Sequence, residues 1–302
     1  MTMNLIRLIF VPLALVTGLT GLLLNCMESY MPNIITLSYR YGKFAINHNV
    51  PLVKKHEVPK RWFKHFYMFS APSSAVILYL VLQKYLFESK ISGNVYGILD
   101  MLLGTERKAL VSTECTLLAA FLLSIQCWKR LYETTCVTIY SDAKMNISHY
   151  LAGFIHYFGT LVCIIGESDG FVKGSTANFS WGKITTVQLF CSCVFLISSY
   201  AQLHLNFILR NLRDNGKDRT VYTGYKIPHG GLFDHVSGGL QLTEITMYVM
   251  LSIILWQSST YHYIALWVIV NQTECALLTH WWYLETFKSY PKNRKALIPL
   301  LL

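Results

Sequence analysis

The stretch L-I-R-L-I-F-V-P-L-A-L-V-T-G-L-T-G-L-L-L-N-C-M, Leu5 to Met27, carries a single charge, Arg7, in 23 residues. About 20 consecutive apolar residues in a helix span the hydrocarbon core of a bilayer. A cleaved leader is the competing reading. Arg7 lies inside the polar end and no small-residue cleavage site follows, so the run is expected to be retained as a span.

Similar runs recur at 67–87, 109–128, 149–166, 187–209, 242–256 and 261–283. The expected fold class is all-α: a multi-pass membrane protein of about seven transmembrane helices, one integral domain over residues 1–302. Six or eight spans also fit, because 242–256 is short and two other runs contain polar residues. The composition agrees, with 53% hydrophobic and only 14% charged residues among 302, where soluble domains carry about 25% charge. The eight cysteines fall mostly inside apolar runs with no CxxC pair, so they read as small buried hydrophobes, with no metal expected. A net charge of +10 without a separate polar domain points to topogenic charge and excludes a nucleic-acid partner.

Charge also orients the chain. With a lumenal N-terminus, 28–66, 129–148, 210–241 and the C-terminal segment share one side and hold 19 of the 26 bases. The positive-inside rule makes that side cytoplasmic. The sequon Asn178-Phe179-Ser180 is then lumenal, whereas Asn146-Ile147-Ser148 is cytoplasmic and unused. Segments 28–66 and 210–241 alone have room for structure outside the membrane.

Ionisable and amide side chains inside spans are costly, so they are candidates for function. Q-L-H-L-N-F-I-L-R-N-L-R, Gln202 to Arg213, sets Gln202, Asn206 and Arg213 near one helical stripe. A helix end emerging among headgroups explains that stripe equally well. Glu244 opens the sixth run, and Asn271, Gln272, Glu274 and His280 interrupt the seventh. Trp281 and Trp282 fit an interfacial belt. In K-I-P-H-G-G-L-F-D-H-V-S-G-G, Lys226 to Gly239, the paired glycines suggest tight turns, either re-entrant or approaching a ligand phosphate. The spacing is not GxGxxG, and no βαβ pattern surrounds it.

Together Y-P-K-N-R-K-A-L-I-P-L-L-L (290–302), K-I-P-H-G-G-L-F-D-H-V-S (226–237) with Thr243-Glu244, and N-L-R (211–213) resemble the steroid 5α-reductase family. V-P-K-R-W-F-K-H-F-Y (58–67) and K-R-L-Y-E (129–133) are more similar to its polyprenol reductase branch. The resemblance is dense over 198–302, patchy between Glu57 and Glu133, and absent from the first run. It implies an endoplasmic-reticulum enzyme of about seven helices that holds NADPH in the cytoplasmic half of the bundle. Residues 198–302 form the cofactor-binding part. The branch saturates the α-isoprene unit of a polyisoprenoid lipid on the way to dolichol for protein N-glycosylation. Residue by residue, the resemblance makes Gln202, Asn206, Arg213, Glu244, His280, Tyr283 and Arg294 cofactor-binding candidates, with Asn271 and Tyr290 added. It also makes the closing I-P-L-L-L a plug packed on the bundle.

Two departures stand out. Gly239-Leu240-Gln241 replaces the Pro-Asn-Tyr common in the family, and Cys127 stands where steroid reductases have a catalytic tyrosine three residues before the arginine matched by Arg130. The second argues against a steroid substrate. His56-Glu57-Val58-Pro59 is similar to the Gln-Glu-Leu-Pro with which steroid enzymes grip a carbonyl.

Hydride addition needs a carbon that can pass charge onward. A conjugated enal does so through its oxygen and an isolated allylic alcohol does not, so polyprenal is the expected substrate. Glu57 and Glu133, with Tyr132 as the alternative, are the candidate catalytic donors to that oxygen. Ion pairing at headgroup level is the competing role for the two carboxyls. Other readings are a 3-oxo-steroid or enoyl-thioester reductase of the same family, a membrane methyltransferase using S-adenosylmethionine, or a non-catalytic scaffold. No obligate protein partner is inferred.

Overall fold

Helix α1 (Leu5–Met27) starts at Asn4, whose side chain accepts the Arg7 amide at 3.1 Å. Its buried residues, Ile6, Phe10, Ala14, Gly21 and Leu24, form one stripe, while Leu8, Leu15, Leu19 and Leu22 are exposed. A helix in water keeps its outer face polar; one apolar all round belongs in lipid. The computed structural model describes residues 3–32, 35–36, 39, 55–213 and 225–302. Arg40, Lys43, Lys54, Lys217 and Arg219 of the charge count lie outside these residues.

The remaining described helices are α2 (Phe63–Tyr85), α3 (Gly93–Leu103), α4 (Thr113–Tyr132), α5 (Ile147–Gly166), α6 (Thr186–Asn211), α7 (Gly239–Ile254) and α8 (Tyr261–Thr286). Each expected run coincides with a helix. Four described segments, not seven, are long and apolar enough to cross a membrane: Leu5–Tyr30, Lys60–Tyr85, Ile147–Gly166 and Thr186–Asn211. Helix α7 is apolar but shorter. The length of α4 and α8 is sufficient, but Glu114, Lys129 and Arg130 in one and Asn271, Gln272, Glu274 and His280 in the other lower their apolarity. The chain is thus a mostly helical, multi-pass membrane protein. Helix α3 was not expected.

Helix α4 also starts later than its apolar run. Leu110 and Val111 are extended, their amides donating to the Glu167 carbonyl at 2.7 and 2.9 Å, and Ser112 then caps the helix by accepting the Cys115 amide. Helix α2 packs along α4, α6 along α7, and α1 along α8. In the last pair the Glu274 carboxyl accepts from Asn25 at 2.8 Å and lies 2.1 Å from where a Cβ on Gly21 would stand. Only glycine admits that approach.

The helix ends gather at two faces. At one, Asn4 donates to Thr260 at 2.9 Å, Tyr85 to the Asp169 carbonyl at 2.8 Å, and Arg107 to the Gly166 carbonyl at 2.6 Å. Asn178 is exposed at this face. At the other, β1 (Glu57–Pro59) pairs antiparallel with β2 (Lys144–Asn146), Glu57 opposite Asn146. Asn146 then caps α5 by accepting the Ser148 amide at 2.9 Å, so its side chain has a structural use.

The glycine-rich loop before α7 lies at this second face. Gly230 and Gly231 take φ of +99° and +57°, values that favour glycine. The Gly230 amide donates to Asp234 at 2.9 Å, and the Gly238 amide to the Ala296 carbonyl at 2.8 Å. The first serves the turn and the second the segment at 296, so both amides are already used within the protein. Val236 and Lys295 form a parallel bridge, so residues 290–297 strap the loop against α8. Ala296 and Leu297 are buried, but Ile298 and Leu300 to Leu302 are exposed, so the closing residues do not plug the bundle. They fold back locally, with the Leu297 and Ile298 amides donating to the Leu302 carbonyl at 2.6 and 2.7 Å. A Cβ at Gly238 would lie 2.6 Å from the Ala276 Cβ and 2.9 Å from the Ala296 carbonyl oxygen. Gly238→Ala is therefore expected to cost about 1–3 kcal/mol, read as a lower unfolding midpoint in detergent, with the exposed Gly97→Ala, where a Cβ meets nothing within 4 Å, as the control.

Candidate functional site

Two buried polar clusters lie toward the strand-pair end of an otherwise apolar bundle. The first joins α4, α6 and α7. Gln202 accepts from the Gln126 amide at 2.8 Å and from Lys129 at 2.6 Å, and donates to Glu244. Ser199, one turn earlier, donates to Gln126 at 2.7 Å. Lys129 also pairs with Glu133 at 3.1 Å, and Arg130 pairs with the same carboxyl at 2.5 Å. Glu133 is 0% exposed and opens a π-helical turn, Glu133–Val137, that ends α4. Unpaired charges here would be very costly, which explains why cations and carboxyls alternate. Asn206 lies one turn beyond Gln202, its side chain donating to the Gln202 carbonyl at 3.1 Å.

The second cluster joins the loop, α8 and the strap. The Ser237 hydroxyl lies 2.7 Å from His280 Nδ1 and 2.6 Å from the Tyr290 hydroxyl. Tyr290 stacks on Tyr283, with ring centroids 5.1 Å apart and planes within 4°. Arg294, only 3% exposed, donates to the Pro228 carbonyl at 2.9 Å and lies 3.0 Å from His229 Nδ1, 3.7 Å from Asp234, and 5.4 Å from the Tyr290 ring centroid. Arg213, at the end of α6, donates to the Ile139 carbonyl at 2.6 Å and is within electrostatic reach of Tyr283. Tyr140, next in that loop, has its phenol pushed up to about 12 by burial.

The sequence candidates thus separate. Gln202, Asn206 and Glu244 share the first cluster with Glu133; His280, Tyr283, Tyr290 and Arg294 share the second, and Arg213 stands beside it. Asn271 lies apart, lining a cavity of about 390 Å³ with Leu13, Thr17, His149 and Trp267. Glu57 sits on β1, 3.9 Å from Lys144. Tyr132 is 48% exposed, whereas Glu133 beside it is fully buried. Sequence reasoning missed Tyr67, which is buried on α2 and accepts from Arg130 at 3.1 and 2.8 Å. It also missed Ser237, Lys129 and Gln126. Polar side chains one turn apart, at 126, 129, 130 and 133, were the available signal.

A nicotinamide dinucleotide carries phosphates, hydroxyls and an amide, so its site must offer cationic donors beside neutral hydrogen-bonding groups. The second cluster does so. The Nε of Arg294 is buried without a hydrogen-bond partner, a donor held in place for an acceptor. Serine, histidine and tyrosine side chains surround it, and the first cluster adds amides and a carboxyl group. The residues present fit such a cofactor.

Residues 143–302 match the family described as 3-oxo-5-alpha-steroid 4-dehydrogenase. The chain is 38% identical to a polyprenal reductase of Drosophila melanogaster, over 99% of this chain and 94% of that one. It is 33% identical to a polyprenal reductase of Caenorhabditis elegans, over 96% of each. With the polyprenal reductase of Homo sapiens it shares 28% identity over 87% of this chain and 84% of the other.

Proposed function

Because this chain belongs to the 3-oxo-5-alpha-steroid 4-dehydrogenase family, we propose that it reduces the α-isoprene double bond of polyprenal with NADPH. The observation that carries this reading is the 38% identity to a polyprenal reductase along 99% of the chain. The product feeds dolichol synthesis and so protein N-glycosylation.

When bound, NADPH supplies the hydride. Arg213, Tyr283, Tyr290, His280 and Arg294 would hold it, with Gln202, Asn206 and Glu244 on the facing helices. The buried polar groups are pre-oriented by one another, as Ser237 is by His280 and Tyr290, so little reorganisation accompanies binding. The aldehyde of the substrate accepts a hydrogen bond while hydride reaches its β-carbon, and charge collects on the carbonyl oxygen. The isoprenoid tail stays in the bilayer, in keeping with the apolar outer faces of the helices.

The finer topology is part of the same proposal: seven crossings in the endoplasmic-reticulum membrane, N-terminus lumenal, clusters and C-terminus cytoplasmic. Its support is the alternation of helix ends between the two faces and the bias of bases toward the cluster side. There NADPH is available from the cytosol.

The test is direct. Purified protein with NADPH and a short polyprenal should yield the dihydro aldehyde, seen by mass spectrometry with matching NADPH consumption. Turnover only of polyprenol, or only of a 3-oxo-Δ4 steroid, would defeat the reading.

A further inference from the structure

We propose that Tyr67, rather than either carboxyl group or Tyr132, donates the proton to the substrate oxygen; the assignment rests on the polyprenal reading above. Tyr67 lies in the first turns of α2, 4% exposed, facing α4 and α5. Arg130 donates to its hydroxyl oxygen twice, from Nε at 3.1 Å and from the terminal nitrogen at 2.8 Å. A phenol oxygen has two lone pairs and one proton. With both lone pairs engaged by Arg130, the proton is what Tyr67 has left to offer. Tyr67 and Tyr157 pack edge to face at 5.4 Å, and Arg130, Glu133, Lys129 and Gln202 link Tyr67 to Glu244 contact by contact. Tyr67 therefore looks into the same interior as Gln202 and Glu244.

The other donors lack this geometry. Glu133 accepts from Arg130 at 2.5 Å and is ion-paired with Lys129 at 3.1 Å, so it is held as a carboxylate between two cations and acts as an acceptor. Its second use is to hold Arg130 against Tyr67, which makes it a positioning residue. Tyr132 is exposed, and Glu57 is engaged across the strand pair with Lys144.

The step balances. Hydride adds to the β-carbon, the C=C pair shifts to the bond between the α-carbon and the carbonyl carbon, and the C=O pair moves to oxygen. As it does so the Tyr67 O–H bond breaks and its proton goes to that oxygen. The phenolate left behind is held by the Arg130 guanidinium. The enol then returns its proton to Tyr67 while the α-carbon takes one from water. One hydride and one solvent proton are consumed.

The experiment compares wild type, Tyr67→Phe and Tyr67→3-fluorotyrosine in detergent with a short polyprenal. NADPH binding, followed by quenching of tryptophan fluorescence, serves as the readout independent of turnover. For Tyr67→Phe, kcat should fall about 10²- to 10³-fold with NADPH affinity and substrate KM within about twofold. The wild-type kcat should decline at high pH, where the donor loses its proton, and that limb should be absent from Tyr67→Phe. Should Tyr67→Phe not fold, the fluorotyrosine variant keeps the shape and acidifies the phenol, so the alkaline limb should move to lower pH. A kcat within about threefold of wild type in Tyr67→Phe, or an unmoved limb in the fluorotyrosine variant, overturns the proposal. Wild type inactive on polyprenal overturns the substrate reading, and this assignment with it.

Discussion

Glu133→Gln is expected to destabilise the protein by about 3–5 kcal/mol, the range for removing one partner of a buried ion pair. The side chain keeps its shape and loses only its charge. Lys129 and Arg130, each little exposed, are then left without the carboxylate that both now touch, at 3.1 and 2.5 Å. Water cannot replace it, because Glu133 is fully enclosed. The loss should appear as a large drop in the unfolding midpoint in detergent. The double variant Lys129→Gln with Glu133→Gln removes one charge of each sign and should recover most of the stability. Recovery of stability without recovery of kcat is expected if Glu133 also sets the position of Arg130 against Tyr67. A double variant as unstable as Glu133→Gln alone would show that charge balance is not what holds this region together.

Arg294→Ala is expected to weaken NADPH binding about 10- to 100-fold, in line with the roughly 1.5–3 kcal/mol of a hydrogen bond to a charged group. Lys292→Ala should leave it within about twofold. The two bases lie two residues apart, but Arg294 is buried against Tyr290 and the 228–234 loop, whereas Lys292 is exposed. Arg294→Lys should lie near alanine, because an ammonium cannot reach the Pro228 carbonyl and His229 in the planar fork that the guanidinium uses. Quenching titrations of the three variants decide the matter. Equal losses from positions 292 and 294 would reduce Arg294 to one more topogenic charge.

Much of this architecture was legible because hydrocarbon enforces a simple rule: a span must be apolar and helical. Each of the seven apolar runs became a helix. The rule is silent where apolarity and helicity part. Ala109 to Val111 are apolar yet lie outside the helix, where the Glu167 carbonyl takes the amides of Leu110 and Val111. Lys129 and Arg130 are charged yet helical, because both pair with the buried Glu133 carboxyl on the next turn. Helix α3, with 11 residues, is too short to register as a span. The strand pair is only three residues long on each side, and its partners lie about ninety residues apart in sequence.

The site was legible where a polar residue interrupted an apolar run. Gln202 and Glu244 declared themselves in that way, and the structure joins them directly. Tyr67 did not, since a tyrosine in an apolar helix looks like packing until a guanidinium is found on its oxygen. The assignments to Arg294 and Tyr290 came from resemblance, because no local pattern says that a segment following the last helix returns to the interior.

That returning strap fixes the order in which the molecule can be finished. Residues 290–297 follow all eight described helices in the chain, yet they supply Tyr290, Arg294 and the carbonyl groups that hold Ser237 and Gly238. A chain ending after α8 would contain every described helix and still lack one wall of the second cluster. Such a chain would keep its helix pairs and lose Tyr290, Arg294 and the two carbonyls that hold the loop, so its defect would be one of the site and not of the span count.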